Sequence, residues 1–323
     1  MPSGLASLVL LAAGIALIIL GAETFFTGLL GAARRVGVST FFLTLLISGL
    51  EVENIAAGLA ANLAGFPGAA AGTFLGGTTF ITLGVAGMSA ILVPFRVSLP
   101  RPFLLTTAFA GAPLALLAAD GALSRIDGGI LMATFGVAMI VLHRSTGAVS
   151  ATDPDDDDVD LRKKNHPWVR LLAGLTAMTV GGELLGNGLH GVVSRFGVSS
   201  TLLGNTAIAA LTEAEEVGRV AVPARRGRPD VAVANIGGTA IHFLTLNAGI
   251  LAVVLPLRLD EATMRLHLPV AVLAPALYCL ILVPRGGLGR REGVLLAALY
   301  VAYIAAALHG ARGQRRGRSL PPR

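Results

Sequence analysis

Apolar runs of bilayer length fill almost the whole chain, and they constrain its fold before any motif does. A spanning helix needs about 20 apolar residues. Ten such segments follow one another at residues 4–33, 38–64, 68–94, 102–120, 127–143, 168–194, 198–222, 230–256, 266–284 and 291–309. Several are long enough to tilt or break. Their connections are short and turn-rich, as in RRVGVS, GFPG, RVSLPRP and RGGLGRR. Only 14% of residues are charged and the mean hydropathy is +0.75, whereas about a quarter of a soluble domain is charged. The expected fold class is therefore all-α integral membrane, with the lipid bilayer as solvent. The first run has no basic stretch before it and is followed by equally apolar ones. It reads as a retained span, not a secretory signal.

The net charge of +6 does not point to nucleic acid, because the basic residues fall in short clusters between apolar runs, as loop arginines do in membrane proteins. Arginine far outnumbers lysine, with abundant alanine and glycine, which hints at a GC-rich bacterial genome and so a bacterial plasma membrane. Cys279 stands alone, so no internal disulfide is possible. Oligomeric state has no signature here.

One connection differs. Residues 144–167 contain DPDDDDVDLRKKN, a solvated charged linker that divides the spans five and five. The chain thus reads as a first five-helix half (1–143), the linker (144–167), a second half (168–310) and a basic tail (311–323). More Lys and Arg lie on the linker's side of the membrane than on the other. The positive-inside rule then makes the linker cytoplasmic and leaves both termini outside. The arginine-rich tail, ARGQRRGRSLPPR, runs against that assignment.

The two halves repeat one another. GAETFFTGLLGAARRVGVS (21–39) matches GGELLGNGLHGVVSRFGVS (181–199). AGFPGAAAGTFLGGT (64–78) matches RGRPDVAVANIGGT (226–239) with one gap, and between them GLEVEN (49–54) meets LTEAEE (211–216). Glu51 thereby pairs with Glu213, Glu53 with Glu215, and Asn54 with Glu216. An odd number of spans per half forces the copies into opposite orientations, giving ten transmembrane helices as two inverted five-helix repeats. That is the architecture of secondary transporters, whose sites lie near the midplane where the repeats meet.

A charged side chain at the bilayer centre costs about 2.5–3.5 kcal/mol on insertion scales. Glu23, Glu51, Glu53, Glu183, Glu213, Glu215 and Glu216 all fall within the spans, with no Lys or Arg well inside to pair with them. Arg219 is nearest, one turn beyond Glu215 and Glu216. Uncompensated carboxylates call for a cation, a proton or water in a cavity. The alternative is protonated glutamates hydrogen-bonded to neighbouring helices, the reading that suits the lone Glu23 and Glu183. Residues three apart share a helix face. This sets Glu51 with Asn54, and Glu213 with Glu216, toward a cavity, while Glu53 and Glu215 face a neighbouring helix. Carboxylate and amide oxygens together suit hard cations such as Na⁺ or Ca²⁺, and clustered carboxylates also take up H⁺. His242 reads as packing or polar filler. Asn62, Asn205, Asn235 and Asn247 read as interhelical hydrogen-bond partners. Gly72, Gly76, Gly77, Gly237 and Gly238 permit close helix approach or mark an unwound segment.

At these repeats the sequence resembles the cation/Ca²⁺ exchanger superfamily, which includes Na⁺/Ca²⁺ and H⁺/Ca²⁺ exchangers. The pieces that carry the resemblance are GAE (21–23), GVS (37–39) and GFPGAAAGTFLGG (65–77), then GGE (181–183), GVS (197–199) and GRPDVAVANIGGT (227–239). It implies ten spans, two inverted repeats, and cation antiport by alternating access with no cofactor beyond the transported cation. The ion-binding core departs from the family pattern. The family's central glutamate falls on Asn54 and Glu216, the proline before it on Glu53 and Glu215, its serine on Glu51 and Glu213, and its threonine on Leu50 and Thr212. A further serine falls on Gly77 and Thr239, and a polar residue four further on falls on Ile81 and Phe243. The candidate cation ligands are therefore Glu51, Asn54, Glu213 and Glu216, with Glu53, Glu215, Thr212 and Thr239 beside them. A divergent, non-transporting paralogue acting as scaffold or sensor is the competing reading. An intramembrane enzyme finds no support in any His/Asp metal motif or G-x-S-x-G.

Overall fold

The computed structural model describes residues 4–145, 166–193 and 214–318. Over these residues the protein is all-α, and six stretches are long and apolar enough to cross a membrane: Ala6–Val36, Pro67–Leu92, Arg125–Ser145, Pro229–Val254, Thr263–Arg285 and Arg290–His309. The helices are α1 (Gly4–Val36), α2 (Thr40–Ile47), α3 (Val52–Leu63), α4 (Pro67–Thr79), α5 (Ala86–Leu92), α6 (Arg101–Ala108), α7 (Ala112–Leu117), α8 (Arg125–Ser145), α9 (Pro167–Val193), α10 (Ala214–Arg225), α11 (Pro229–Ile241), α12 (Ala248–Val254), α13 (Leu268–Leu282) and α14 (Arg290–Arg318). Four two-residue strands, β1 (Phe95–Arg96), β2 (Ala122–Leu123), β3 (Leu257–Arg258) and β4 (Gly287–Leu288), lie at helix ends.

Two of the expected spans are broken. Residues 38–64 form α2 and α3 with SGLE between them, and residues 102–120 form α6 and α7. The last helix also runs on through Arg318, so the basic tail is not a separate segment. The glycine clusters do not unwind. Gly72, Gly76 and Gly77 lie in α4, Gly237 and Gly238 in α11, and both helices stay continuous.

The chain divides into two compact units. Unit 1 comprises residues 1–44 and 146–235, and unit 2 comprises 45–145 and 236–323. In unit 1, α1 and α9 pack side by side along most of their length. A Cβ on Gly21 would stand 2.9 Å from the Gly174 carbonyl oxygen, one on Gly181 would stand 2.9 Å from that of Gly14, and one on Gly28 would stand 2.5 Å from the Leu171 nitrogen. The later residues of one helix meet the earlier residues of the other, so the pair is antiparallel. Glycines seven apart keep one stripe of each helix bare of side chains, and the backbones close to contact there. Helix α10 lies on the same face of α1, with Gly218 against Ile18 and Ala22.

Unit 2 combines residues of both halves of the chain, and two stretches that correspond between the halves, the second of which begins in unit 1, share a plan. The stretches Pro67–Leu92 and Pro229–Val254 are 26 residues each. Each carries one wide π-turn at the same place, Phe80–Val85 in the first and His242–Asn247 in the second. Each stretch follows a glycine with positive φ, Gly65 at +82° and Gly227 at +73°. The helix before each glycine closes in the same way: Phe66 N–H donates to Ala61 O at 2.9 Å and Arg228 N–H to Pro223 O at 2.9 Å. Glycine at C′ with this return bond is a standard helix stop.

The packing of unit 2 is exchanged between the halves. β1 pairs antiparallel with β4, and β2 with β3. Helix α5 packs on α14 and α12 on α8 through matching glycines. A Cβ on Gly87 would stand 2.9 Å from Gly293 O and one on Gly128 would stand 2.7 Å from Gly249 O. Each half therefore covers its last helix with the third span of the other half.

A backbone contact cannot yield as a side chain can. Gly128→Leu should cost about 1–3 kcal/mol through overpacking and lower the melting temperature in detergent. The adjacent Gly129, which has open space at its Cβ, should accept Leu with little change. Equal melting of the two variants would contradict the close α8–α12 contact.

Candidate functional site

The first cluster of candidate residues gathers at the break between α2 and α3, in unit 2. Helix α2 ends at Ile47 and Leu50 N–H returns to Ile47 O at 3.2 Å. Glu51 then adopts φ −93°, ψ 87° and immediately precedes α3. A helix end inside an apolar medium leaves carbonyl groups that water cannot reach. Here the second half of the chain supplies Asn247 as a donor, and His242, which donates in its Nε2–H tautomer. His242 Nε2 lies 3.0 Å from Leu46 O, and Asn247 Nδ2 donates to Gly49 O at 3.4 Å. The other imidazole nitrogen lies 2.8 Å from Gly238 O in its own helix, and the Phe135 ring of α8 tilts against the imidazole at 4.5 Å. Gly49 is required at this point, because a Cβ would meet His242 Cγ at 2.6 Å. The two polar residues begin and end the π-turn, so the wide turn presents both to the break.

Glu51 and Asn54 are hydrogen-bonded to each other through Asn54 Nδ2 and Glu51 Oε2, as their three-residue spacing requires, and Glu51 is buried. Ser48 Oγ, Thr239 Oγ1 and Asn247 Oδ1 are among the buried side-chain oxygens of unit 2 that have no hydrogen-bond partner among the described residues. Two of these lie on the residues that form the break and its clasp. Gly238, beside Thr239, is pressed onto Leu45, whose Cα its Cβ would meet at 3.0 Å. Two of the positions where the family pattern expects polar groups, Gly77 and Phe243, lie against each other, with Phe243 Cδ2 at 2.8 Å from a Cβ built on Gly77. One ring fills the room that one glycine leaves, so the loss of both polar groups is a single packing change.

The second cluster lies in unit 1, on the first turns of α10. Glu215 and Glu216 are both buried, and the N-terminal end of a helix dipole favours them. The expectation that these carboxylates lack a positive partner does not hold. Arg219 is buried too, and it reaches back to Glu216 Oε1 at 2.5 Å and Glu215 Oε1 at 3.2 Å. Residues three and four apart on a helix are neighbours, so one guanidinium bisects two adjacent carboxylates. For the same reason Glu215 and Glu216 do not separate into a cavity face and a packing face. Asn235 Nδ2 donates to Glu216 Oε2 at 2.9 Å, and the guanidinium sits 5.7 Å from the centroid of the Phe25 ring.

The remaining candidates are dispersed. Thr212, Glu213 and Asn205 lie outside the described residues, and Glu53 falls in the first turn of α3 with its side chain outside them as well. Glu23 is not packed against a neighbouring helix as a hydrogen-bonded filler: it forms an ion pair with Arg226 at 2.5 Å, both side chains being well exposed. Glu183 is exposed. Of the asparagines expected to bond between helices, Asn235 does so, to Glu216, whereas Asn62 donates to Leu255 O at 3.1 Å and Asn247 to Gly49 O, carbonyls that lie just outside helices. The role of His242 as a clasp was hidden, because nothing local marks a histidine as the donor to a carbonyl nearly two hundred positions away.

Comparison with known proteins adds the family. The model of the family described as "Sodium/calcium exchanger protein" matches residues 6–143 and 166–309. A putative antiporter, CaxA, of Alkalimonas amylolytica is 27% identical over 90% of this chain and 95% of its own length. The inner membrane protein YrbG of Escherichia coli K12 is 27% identical over 92% of this chain and 95% of its own. A solved structure of the sodium-calcium exchanger NCX_Mj shares the fold with a TM-score of 0.74 at 22% identity, covering 94% of this chain and 99% of that one.

If His242 holds the break closed, His242→Leu leaves the Leu46 carbonyl without a donor. An unsatisfied buried group costs about 1–3 kcal/mol, so the melting temperature in detergent should fall, and His242→Gln should fall less. A His242→Leu protein as stable as the parent would mean that the clasp contributes nothing.

Proposed function

The chain belongs to the sodium/calcium exchanger family, and on that premise we propose that it is a secondary cation antiporter of the bacterial plasma membrane. It exchanges Ca²⁺ or another cation for Na⁺ or H⁺ by alternating access and needs no cofactor beyond the transported ion. Its ten spans form two inverted five-helix repeats. The π-turns at matching places and the exchanged pairing of β1 with β4 and β2 with β3 support that architecture.

The observation that carries the proposal is the broken second span. A discontinuous helix is where carriers of this kind hold ions. Glu51 heads α3 with Asn54 at its side, and uncommitted hydroxyl and amide oxygens are buried in the same unit. Oxygen donors of this kind suit a hard cation. The ligands proposed are Glu51, Asn54 and Thr239 in unit 2 and, separately, Glu216 with Glu215 in unit 1, with Glu53, Thr212 and Glu213 named from the sequence alone. Binding a cation neutralises carboxylates that are otherwise costly to carry through an apolar barrier, so the loaded carrier changes its facing more easily than the bare one. Protons compete for the same oxygens. The packing of Phe243 onto Gly77 favours the second reading, a non-transporting relative, and transport measurements separate the two.

Purified protein in proteoliposomes should take up ⁴⁵Ca²⁺ or ²²Na⁺ when an outward Na⁺ or pH gradient is imposed. Glu51→Gln should fold, keep its melting temperature within a few degrees, and lose about tenfold or more of that uptake. Full uptake in Glu51→Gln would remove the site assignment, and no uptake by the folded parent under any gradient would favour the scaffold or sensor.

A further inference from the structure

Arg219 is a fixed cation set against two of the candidate ligands, Glu215 and Glu216. Its side chain is 4% exposed and its charge is permanent, since a guanidinium does not lose its proton in a protein. It meets one oxygen of Glu216 while Asn235 meets the other, and it also meets Glu215. The first half of the chain has no counterpart to this pair. Where the second half has Glu216 and Arg219, the first has Asn54 and Ala57 in the same register. The extra carboxylate and the extra guanidinium occur together, and the neutral amide and the methyl occur together. Formal charge is the same in both copies: Glu51 and Glu53 in one, and Glu213, Glu215 and Glu216 less Arg219 in the other.

We propose that Arg219 is a tethered cation, whose guanidinium occupies the position at Glu216 that a transported ion would otherwise take. The inference rests on Glu216 being a cation ligand, as proposed above. Two consequences follow from charge alone. The carrier moves fewer ions in each cycle than the number of its carboxylates suggests. The ion-free carrier is also already compensated on this side. The barrier that holds an empty exchanger in place, bare carboxylates in an apolar medium, is thus lowered. Net release of an ion, without a counter-ion to bring the carrier back, becomes a permitted half-cycle.

The test is replacement of the guanidinium by a free ion. Thermal unfolding of the full chain in detergent is followed in choline chloride, then with NaCl, CaCl₂ or millimolar guanidinium chloride added at constant ionic strength. Arg219→Ala should melt lower in choline and recover most of the loss with at least one of the added cations, whereas the parent should respond little. The double variant Glu216→Asn with Arg219→Ala, which copies the first half, should be stable without any of them. Arg219→Ala as stable as the parent in choline, not restored by any cation, or not folded in their presence would each overturn the proposal. In proteoliposomes preloaded with ²²Na⁺ or ⁴⁵Ca²⁺, release into ion-free buffer should fall at least tenfold in Arg219→Ala while exchange against the same ion persists. Rescue without flux in the parent would keep the tethered cation and discard the antiporter, and flux without rescue would do the reverse.

Discussion

A carbonyl group far from water must find its donor inside the protein, and the break in the second span exists because two such donors arrive. Leu46 and Gly49 end their helix early and their oxygens are met by His242 and Asn247. The segments on either side, FFLTLLI and AAGLAANL, are both helical, so the carbonyls released between them are what the two side chains meet. The break sets Glu51 at the head of α3 with Asn54 one turn on, and the π-turn in the partner helix sets the spacing of the two donors. Five residues apart, His242 and Asn247 would point to different faces of a regular α-helix, and the wide turn brings them onto one.

The two halves of the chain share a plan and differ in chemistry. The residues in the first π-turn that correspond to His242 and Asn247 are Phe80 and Val85, which have no side-chain donors to offer a helix end. The carboxylate side is uneven in a complementary sense. The second half holds a buried ion pair around Arg219, and the first holds an amide and a small apolar residue. A buried ion pair is weak evidence for stability, and its presence in one copy only points to a functional asymmetry laid over a common backbone.

Much of this was legible in the sequence. Length and hydropathy of the runs located the six long apolar helices of the described residues, though not the breaks within 38–64 and 102–120, and self-similarity gave the correspondence between Pro67–Leu92 and Pro229–Val254. The residues that matter most to the second cluster, Glu215 and Glu216, were visible because carboxylates stand out against alanine and leucine. What was not legible depends on contacts between distant parts of the chain or on side-chain reach. Arg219 looked too far along to count, although a guanidinium on a long flexible stem reaches back a full turn. The π-turns leave no compositional trace, because one extra residue in a helix turn changes no pattern of apolar positions over six residues. The filling of Gly77 by Phe243 needed two positions to be read as one volume.

The exchanged contacts of unit 2 have a consequence for the ancestry and integrity of the chain. Each half leaves a bare glycine stripe and an open strand edge that only the other half covers. A half-length chain would thus be an unfinished object in the bilayer, and two of them would finish each other as a symmetric pair. The covalent connection between residues 145 and 166 adds proximity to a union that the packing already specifies.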